Sequence, residues 1–204
     1  MKLINVLCTF CVLAFFFISC KKQKDAPLVL PVAEASLIRN LVFTNQINTE
    51  KNVSYGTSKV KVNTGTEDGQ FYIRFSAESN QVGDASEYVT LYINTSHLTS
   101  NLAKGYTFGL VEPALNRVYY TYLFNESATG TWGSATDSKT GVVFEGSLNI
   151  TAHDPKNKLI SGSFTVKARR LINDPTVRNL AAPIDPANQC DLTLTGTFKN
   201  VLLQ

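Results

Sequence analysis

The sequence predicts an all-β protein, an antiparallel β-sandwich of about nine strands, with an open β-barrel as the alternative. From Ser36 onward, apolar and polar residues alternate with a period of two, the period of a half-buried strand. The alternating segments are rich in β-branched and aromatic residues and are separated by turn-forming residues. One connection, residues 171–189, is long enough to cross between two sheets, and it favours the sandwich.

The first half of this region predicts four strands. The first two are residues 37–44 and 53–62, and the polar segment 63–69 predicts the turn after them. On each of the next two strands the large apolar residues share one face, and these are Phe71, Ile73 and Phe75, then Val89, Leu91 and Ile93. Residues 96–103 predict one short helical turn.

The second half begins with two segments that we expect to be neighbours, residues 105–111 and 117–124, joined through Pro113 and Asn116. Small and polar residues then surround Trp132 over residues 127–141, which predicts a loop or an irregular strand.

A hairpin is the clearest element of the second half. Alternating residues run up to the turn Asp154-Pro155-Lys156-Asn157 and back down after it. The last predicted strand is residues 190–201, where Leu192, Leu194 and Phe198 share one face and threonines share the other.

The N-terminus predicts a cleaved export signal. Lys2 precedes an apolar run from Leu3 to Ile18, a little shorter than the roughly 20 residues that a membrane-spanning helix needs. The run ends at Ser19 and Cys20, which resembles the lipobox of bacterial lipoprotein precursors. In that family the cysteine thiol receives a diacylglycerol, so the resemblance implies cleavage between Ser19 and Cys20 and lipidation of Cys20.

The predicted organisation is a signal peptide over residues 1–19, a lipidated tether over 20–35 and one β domain over 36–204. Phe17 stands where the lipobox usually has leucine. The alternative is an uncleaved N-terminal helix. Three lysines follow the apolar run, and by the positive-inside tendency they would leave the domain of such a helix in the cytoplasm: Lys21, Lys22 and Lys24.

Cysteine usage agrees with the lipoprotein interpretation. Cys8 and Cys11 lie in the apolar core of the signal, and their spacing there does not indicate a metal or redox site. Cys20 is used by the lipid, so Cys190 remains alone in the mature protein and no disulfide is predicted within the monomer. We expect Cys190 to be a buried or half-buried strand residue, with a functional thiol as the alternative.

The net charge bears on the type of partner, and the chain length bears on the number of domains. The formal net charge is only +3, which argues against nucleic acid as the main partner. The mature chain is long enough for one domain with a real core and leaves little room for a second.

Five short motifs follow one another in the C-terminal half, and they are Gly105-Tyr106-Thr107-Phe108-Gly109, Tyr119-Tyr120-Thr121-Tyr122, Gly146-Ser147-Leu148-Asn149-Ile150-Thr151, Ile160-Ser161-Gly162-Ser163-Phe164 and Thr195-Gly196-Thr197-Phe198-Lys199-Asn200-Val201. In this order they resemble a family of small Bacteroidota envelope lipoproteins that carry a domain of unknown function. The resemblance covers roughly the last hundred residues and rests on the order of the motifs. It implies an all-β envelope lipoprotein and no particular activity.

Residues suited to catalysis are scarce. The only histidines are His97, expected in a loop or at a helix start, and His153, expected as an exposed turn residue. Together with Cys190 they give no zinc-ligand spacing, and we predict no catalytic residue, metal or cofactor. A carboxylate pair, as in glycoside hydrolysis, remains the basis of an alternative, with the candidates Glu112, Glu126, Asp137 and Glu145.

Aromatic residues are the strongest candidates for ligand binding. Four of them could stack on sugar rings, namely Tyr119, Tyr120, Tyr122 and Trp132, although aromatic strands more often face a core. The sequence thus predicts a non-enzymatic, lipid-anchored envelope lipoprotein that binds a protein or glycan partner or serves as an accessory subunit of an outer-membrane assembly. The outer membrane is its expected location. The alternative is a small hydrolase of envelope or extracellular polymers. The membrane face and the oligomeric state stay open.

Overall fold

The computed structural model describes residues 30–43, 50–109, 116–137, 142–171, 174–176 and 189–204, and the backbone alone of residues 50 and 137. Contacts between residues divide the chain into the units Met1–Leu30 and Pro31–Gln204, and every described strand belongs to the second unit. No helix among the described residues is long and apolar enough to span a membrane.

Eleven strands are described in chain order: β1 (Glu34–Phe43), β2 (Glu50–Tyr55), β3 (Val60–Glu67), β4 (Gln70–Ala77), β5 (Ala85–Asn94), β6 (Gly105–Phe108), β7 (Arg117–Asn125), β8 (Thr131–Asp137), β9 (Phe144–Asp154), β10 (Leu159–Leu171) and β11 (Cys190–Leu202). They form a six-stranded sheet in the order β2-β1-β11-β10-β9-β6 and a five-stranded sheet in the order β3-β4-β5-β7-β8. All pairings are antiparallel, and the sheets do not close into a barrel. The predicted β-sandwich is confirmed.

The core lies between the inward faces of the two sheets, and the period-two alternation identifies these faces correctly. Phe75 of β4 packs against Phe164 of β10 and Phe198 of β11, with ring centroids 4.8 and 5.9 Å apart. The apolar residues predicted to share a face on β4, β5 and β11 are all buried. Burial of these large side chains contributes about 1.5–3 kcal/mol each, so this layer supplies the main stabilisation of the fold.

The predicted strand 53–62 is wrong, because it is two strands in different sheets. β2 ends at Tyr55, and β3 begins at Val60 after a turn in which the Lys59 amide donates to the Gly56 carbonyl at 3.0 Å. The polar run Gly56-Thr57-Ser58-Lys59 interrupts the alternation, and the chain uses it to cross from one sheet to the other. The predicted turn is also shorter, since β3 continues to Glu67 and the turn residues are Asp68 and Gly69, both at positive φ.

The predicted pairing of residues 105–111 with 117–124 is wrong as well. β6 pairs with β9 in the six-stranded sheet, whereas β7 pairs with β5 and β8 in the five-stranded sheet. Consecutive strands that pack face to face rather than side by side are common in sandwiches, and sequence order alone does not reveal them. Residues 127–141 were predicted to form a loop or an irregular strand, and they contain the regular strand β8.

The predicted β9–β10 hairpin is confirmed. The Asp154 carboxylate accepts hydrogen bonds from the Asn157 side chain at 2.7 Å and from the backbone amides of Lys156 and Asn157 at 3.0 and 3.1 Å. These bonds hold the pKa of Asp154 below its ordinary value. A bulge near Ser161 then shifts the register of β10 against both neighbours.

The predicted helical turn is a three-residue 3-10 helix, Thr95–His97, capped by the Asn94 side chain. The loop 171–189 is described only at Leu171, residues 174–176 and Gln189. Within it the buried Asp174 carboxylate accepts hydrogen bonds from Lys51 at 2.8 Å and from the Thr176 hydroxyl at 2.7 Å. Burial raises the pKa of Asp174, but these bonds outweigh burial and hold it below its ordinary value.

Candidate functional site

A charged pair lies inside the sandwich. Arg39 of β1 and Glu87 of β5 face each other from the two sheets, and they are only 4% and 0% exposed. Arg39 Nε donates to Glu87 Oε1 at 2.9 Å. Charged residues are almost never buried this fully unless they are paired, and a buried pair needs further hydrogen bonds to offset its loss of water.

Glu87 receives those further hydrogen bonds from two tyrosines. The Tyr55 hydroxyl donates to Oε1 at 2.7 Å, and the Tyr120 hydroxyl donates to Oε2 at 3.0 Å. Burial, and then the negative charge of Glu87, raises the pKa of both tyrosines well above the ordinary value. Both hydroxyls therefore stay protonated and act as donors, and together with Arg39 they satisfy the carboxylate on both oxygens.

Arg39 is less well satisfied than its partner. Its Nη1 atom is enclosed and has no hydrogen-bond partner among the described residues. The Tyr122 ring packs on the guanidinium, with its centroid 5.7 Å from Cζ. Burial lowers the pKa of Arg39, but the attraction of Glu87 outweighs burial, so the pKa lies above its ordinary value and the group stays charged.

Arg39 also lines a cleft of about 760 Å³ that both sheets border, which we call the inter-sheet cleft. Three aromatic residues contribute to its walls: Tyr55 of β2, with Tyr122 and Phe124 of β7. Hydroxyl and amide side chains supply much of the remaining lining, and they are Ser54, Ser58, Ser76, Ser79, Asn80 and Gln81. The volume lies within the range of about 300–1,000 Å³ that is typical of small-molecule sites.

Charges of opposite sign border the inter-sheet cleft on different segments. Lys59 and Lys61 lie on the turn after β2 and on β3, whereas Glu78 and Asp84 lie between β4 and β5. Lys61 Nζ is 4.0 Å from Glu78 Oε2, but their side chains are 84% and 49% exposed, so this pair contributes little to stability. Asp84 accepts a hydrogen bond from the Ser79 hydroxyl at 2.8 Å.

The four predicted sugar-stacking residues lie in different surroundings. Tyr120 is 0% exposed in the core, so its ring offers no face to a ligand. Tyr122 borders the inter-sheet cleft, and Trp132 of β8 packs behind it, 5.8 Å from the Tyr122 ring and 5.7 Å from Phe124. Tyr119 points to the opposite face of β7 because side chains alternate along a strand. The structure thus brings Tyr122 and Trp132 together and leaves Tyr119 apart.

Both histidines are within hydrogen-bond distance of a neighbouring segment. His97 Nδ1 lies 3.2 Å from the Asn116 amide oxygen, at the border of a second cleft of about 490 Å³ that Lys104 also lines. His153 is half-buried on β9 rather than exposed in the turn, and its Nδ1 accepts a hydrogen bond from the Leu102 amide at 3.3 Å. It holds the segment before β6 against the larger sheet.

The acids predicted as a possible hydrolytic pair do not border the inter-sheet cleft where they are described. Glu145 lies on β9 of the larger sheet, with its carboxylate 3.7 Å from Arg169. Glu126 follows β7. Glu112 and the side chain of Asp137 lie outside the described residues, as do Ser19 and Cys20.

Cys190 is buried at the start of β11, in agreement with the expected buried or half-buried strand position. Burial, and then the charges of Asp174 and Asp191, raises the pKa of its thiol to about 12. Within the described part of the chain, no three His, Cys, Asp or Glu residues are grouped so that they could hold a metal ion.

The sequence contains a local signal for the buried pair, in addition to the alternation that predicts the strands. Arg39 falls between Leu37 and Leu41 on the inward face of the first predicted strand, and Glu87 has the same parity as Val89 on the fourth. A charged residue at an inward position of a strand indicates a buried partner. One such residue on each of two strands predicts an ion pair between the sheets.

Comparison of the chain with known protein families, with curated proteins and with solved structures finds no match. The resemblance to envelope lipoproteins therefore stays a prediction from the sequence motifs.

Proposed function

We propose that this protein is a lipid-anchored, glycan-binding lipoprotein of the cell envelope, and that the inter-sheet cleft is its binding site. The observation that carries the proposal is the lining of the cleft, in which aromatic rings stand beside many hydroxyl and amide groups. A sugar ring presents apolar C–H faces and a rim of hydroxyls. Aromatic walls with polar groups around them match both features.

The anchor is supported by the N-terminal sequence. Ser19 and Cys20 follow a short apolar run, and lipidation of Cys20 would bury acyl chains at about 0.8 kcal/mol per methylene group. The outer membrane is the proposed location. Expression of the full precursor beside a Cys20→Ala variant tests the anchor by membrane fractionation and intact mass. The expected result is loss of residues 1–19 and added acyl mass in the wild type alone, and two forms that both keep Met1 would refute it.

Glycan binding can be followed through Trp132, because it is the only tryptophan of the chain and packs directly behind two cleft aromatics. A form beginning at residue 21 keeps the whole unit Pro31–Gln204 and lacks Cys20, so it carries no lipid chain. We expect its tryptophan fluorescence to change on titration with the oligosaccharides that it retains on a glycan array.

A matched pair of variants on one strand locates the site. Phe124→Ala removes a cleft aromatic, and we expect it to weaken binding by about ten-fold. Tyr119→Ala removes an aromatic from the opposite face of β7, and we expect unchanged affinity. Loss of binding in the Tyr119 variant alone would place the platform on the outer face and refute the cleft as the site. Retention of a protein and no glycan would favour the protein-binding alternative.

A hydrolase of envelope or extracellular polymers is the second candidate, because two carboxylates border the same aromatic cleft, those of Glu78 and Asp84. We prefer binding because Glu78 is half exposed beside Lys61, and an acid kept protonated for catalysis normally needs burial. Incubation of each bound oligosaccharide with the protein, with Glu78→Gln and with Asp84→Asn decides between them. New reducing ends formed by the wild type and lost in both variants would establish the hydrolase.

A further inference from the structure

We propose that the outer edge of β8 is a self-association site, at which β8 of a second copy of this chain pairs antiparallel to it. The pairing joins the five-stranded sheets of the two copies into one continuous sheet. The residues that form this edge are Thr131, Gly133 and Ala135. The proposal goes beyond glycan binding and does not depend on it.

The register of β8 shows which of its backbone groups are available for pairing. At the turn before β8 the Glu126 amide donates to the Gly130 carbonyl at 3.0 Å. Hydrogen-bonded and non-hydrogen-bonded residue pairs alternate along antiparallel strands, so the even-numbered residues of β8 exchange backbone bonds with β7. The amides and carbonyls of Gly133 and Ala135 therefore point away from β7, and no backbone group of the described residues bonds to them.

The other edge strands of the described sheets are protected against pairing. Unpaired backbone groups at a sheet edge are a template for another strand, and proteins protect such edges with lysines, prolines, bulges or very short strands. β2 carries Lys51 and β3 carries Lys61, whose side chains are 47% and 84% exposed. β6 has only four residues, and the Asn116 side chain donates to its Thr107 carbonyl at 3.0 Å.

β8 has none of these protections. From Thr131 to Thr136 it contains no charged residue and no proline, and its register against β7 is continuous, without a bulge. Its residues 131, 133 and 135 are exposed. The Ser134 hydroxyl donates to the Pro175 carbonyl at 3.1 Å, but this side chain lies on the same face of the sheet as Tyr122, so the bond does not use the backbone edge.

The occupant is a second β8 because this strand is complementary to itself. With Ser134 on a two-fold axis, Gly133 of one copy lies opposite Ala135 of the other, and each such pair can exchange both backbone hydrogen bonds. The side chains of both residues are small and uncharged, so the two copies meet without steric or electrostatic repulsion along this edge. A single pair of strands buries less surface than a permanent dimer needs, so we expect a weak dimer, with a Kd of about 0.1–1 mM.

Disulfide trapping tests the register of this dimer. The form beginning at residue 21 contains only the buried Cys190, so its background reaction is low. Ser134→Cys places a thiol on the axis, where the Cβ atoms of directly opposed residues are about 4.5–5.5 Å apart, near the distance that a disulfide spans. Ser54→Cys is the control, because Ser54 is exposed on the edge strand β2. With oxidised glutathione, we expect Ser134→Cys to form covalent dimers about ten-fold faster. An equal or slower rate than that of the control overturns the proposal.

Two substitutions at one position test the role of the outward amide. Ala135→Pro removes this donor, and proline is tolerated where the N–H of an edge strand faces solvent, whereas Ala135→Val keeps the donor. Sedimentation equilibrium up to about 1 mM protein is expected to show dimers for the wild type and the valine variant, and association at least about ten-fold weaker for the proline variant. Circular dichroism verifies folding, and if Ala135→Pro does not fold, the cysteine comparison decides. A monomeric wild type at the highest concentration, or a folded proline variant that associates as strongly as the valine variant, overturns the proposal.

Discussion

Replacement of Glu87 by glutamine is predicted to destabilise the domain strongly although it conserves the shape of the side chain. The variant leaves the Arg39 guanidinium buried at 4% exposure with no opposite charge beside it. Removal of one partner of a buried ion pair costs about 3–5 kcal/mol. The total stability of a domain is about 5–15 kcal/mol, so this loss is a large fraction of it.

Urea denaturation measures this loss directly. With a slope of about 2 kcal/mol per molar urea, the midpoint is expected to fall by about 1.5–2.5 M. The assay uses the form beginning at residue 21, with Trp132 fluorescence and circular dichroism as two probes that must give the same transition. Glu145→Gln is the control. Its carboxylate is exposed beside Arg169, and its midpoint is expected to change by less than about 0.5 M.

A double-mutant cycle separates the ion pair from other effects. Arg39→Met removes the stranded charge, so the double variant Arg39→Met, Glu87→Gln is expected to be more stable than the sum of the two single losses predicts, by at least about 2 kcal/mol. A midpoint decrease below about 0.5 M for Glu87→Gln, with additive losses in the cycle, would refute the view that the pair is electrostatically coupled in a desolvated core.

Three further predictions follow from the packing. Cys190, the only cysteine in a form beginning at residue 21, is expected to resist thiol reagents until the domain unfolds, since its pKa is raised to about 12; rapid labelling without urea would contradict its burial. Gly162→Ala is expected to lower stability by about 1–3 kcal/mol, because its Cβ would lie 2.3 Å from the Asn149 carbonyl oxygen, whereas Gly105→Ala, with open space around it, should be nearly neutral in the same urea assay. The pKa of Asp174 is lower in the folded state than the ordinary value of about 3.9, so its contribution to stability is complete above about pH 4 and is lost as the pH falls through the folded pKa. Asp174→Asn should therefore be less stable than the wild type at neutral pH and lose less stability on acidification, and parallel pH curves for the two proteins would refute this.

The fold class could be predicted because burial on one face of a strand leaves a period-two pattern that needs no tertiary knowledge. Phe71, Ile73 and Phe75 all face the core as that pattern predicts. Connectivity could not be predicted in the same way. Val53 and Val62 were predicted in one strand, although they lie on opposite sides of the turn at Gly56 and belong to different sheets. Which sheet a strand joins depends on packing between distant segments.

The candidate site was harder to predict for the same reason. Tyr120 and Tyr119 are adjacent aromatic residues, yet Tyr120 is enclosed beside Glu87 and Tyr119 lies on the other face of the strand. Composition alone treats them as equivalent. The inter-sheet cleft depends on β2 and β7, which lie in different sheets and come together only in the folded domain. The sequence does place Arg39 and Glu87 at inward positions of their strands, and this placement indicates a buried charged pair beside the cleft.

The position of β11 has a consequence for how the chain is synthesised. β11 lies between β1 and β10, so the six-stranded sheet consists of two separate pieces until this last strand is present. One edge of β1 pairs with the neighbouring β2, but its other edge must wait for a partner about 160 residues further along, as the Ser36–Thr197 hydrogen bond shows. A growing chain therefore cannot complete the six-stranded sheet before β11 has been synthesised. Loss of β11 would leave β1 and β10 with unpaired edges, and such edges can pair with another chain and aggregate.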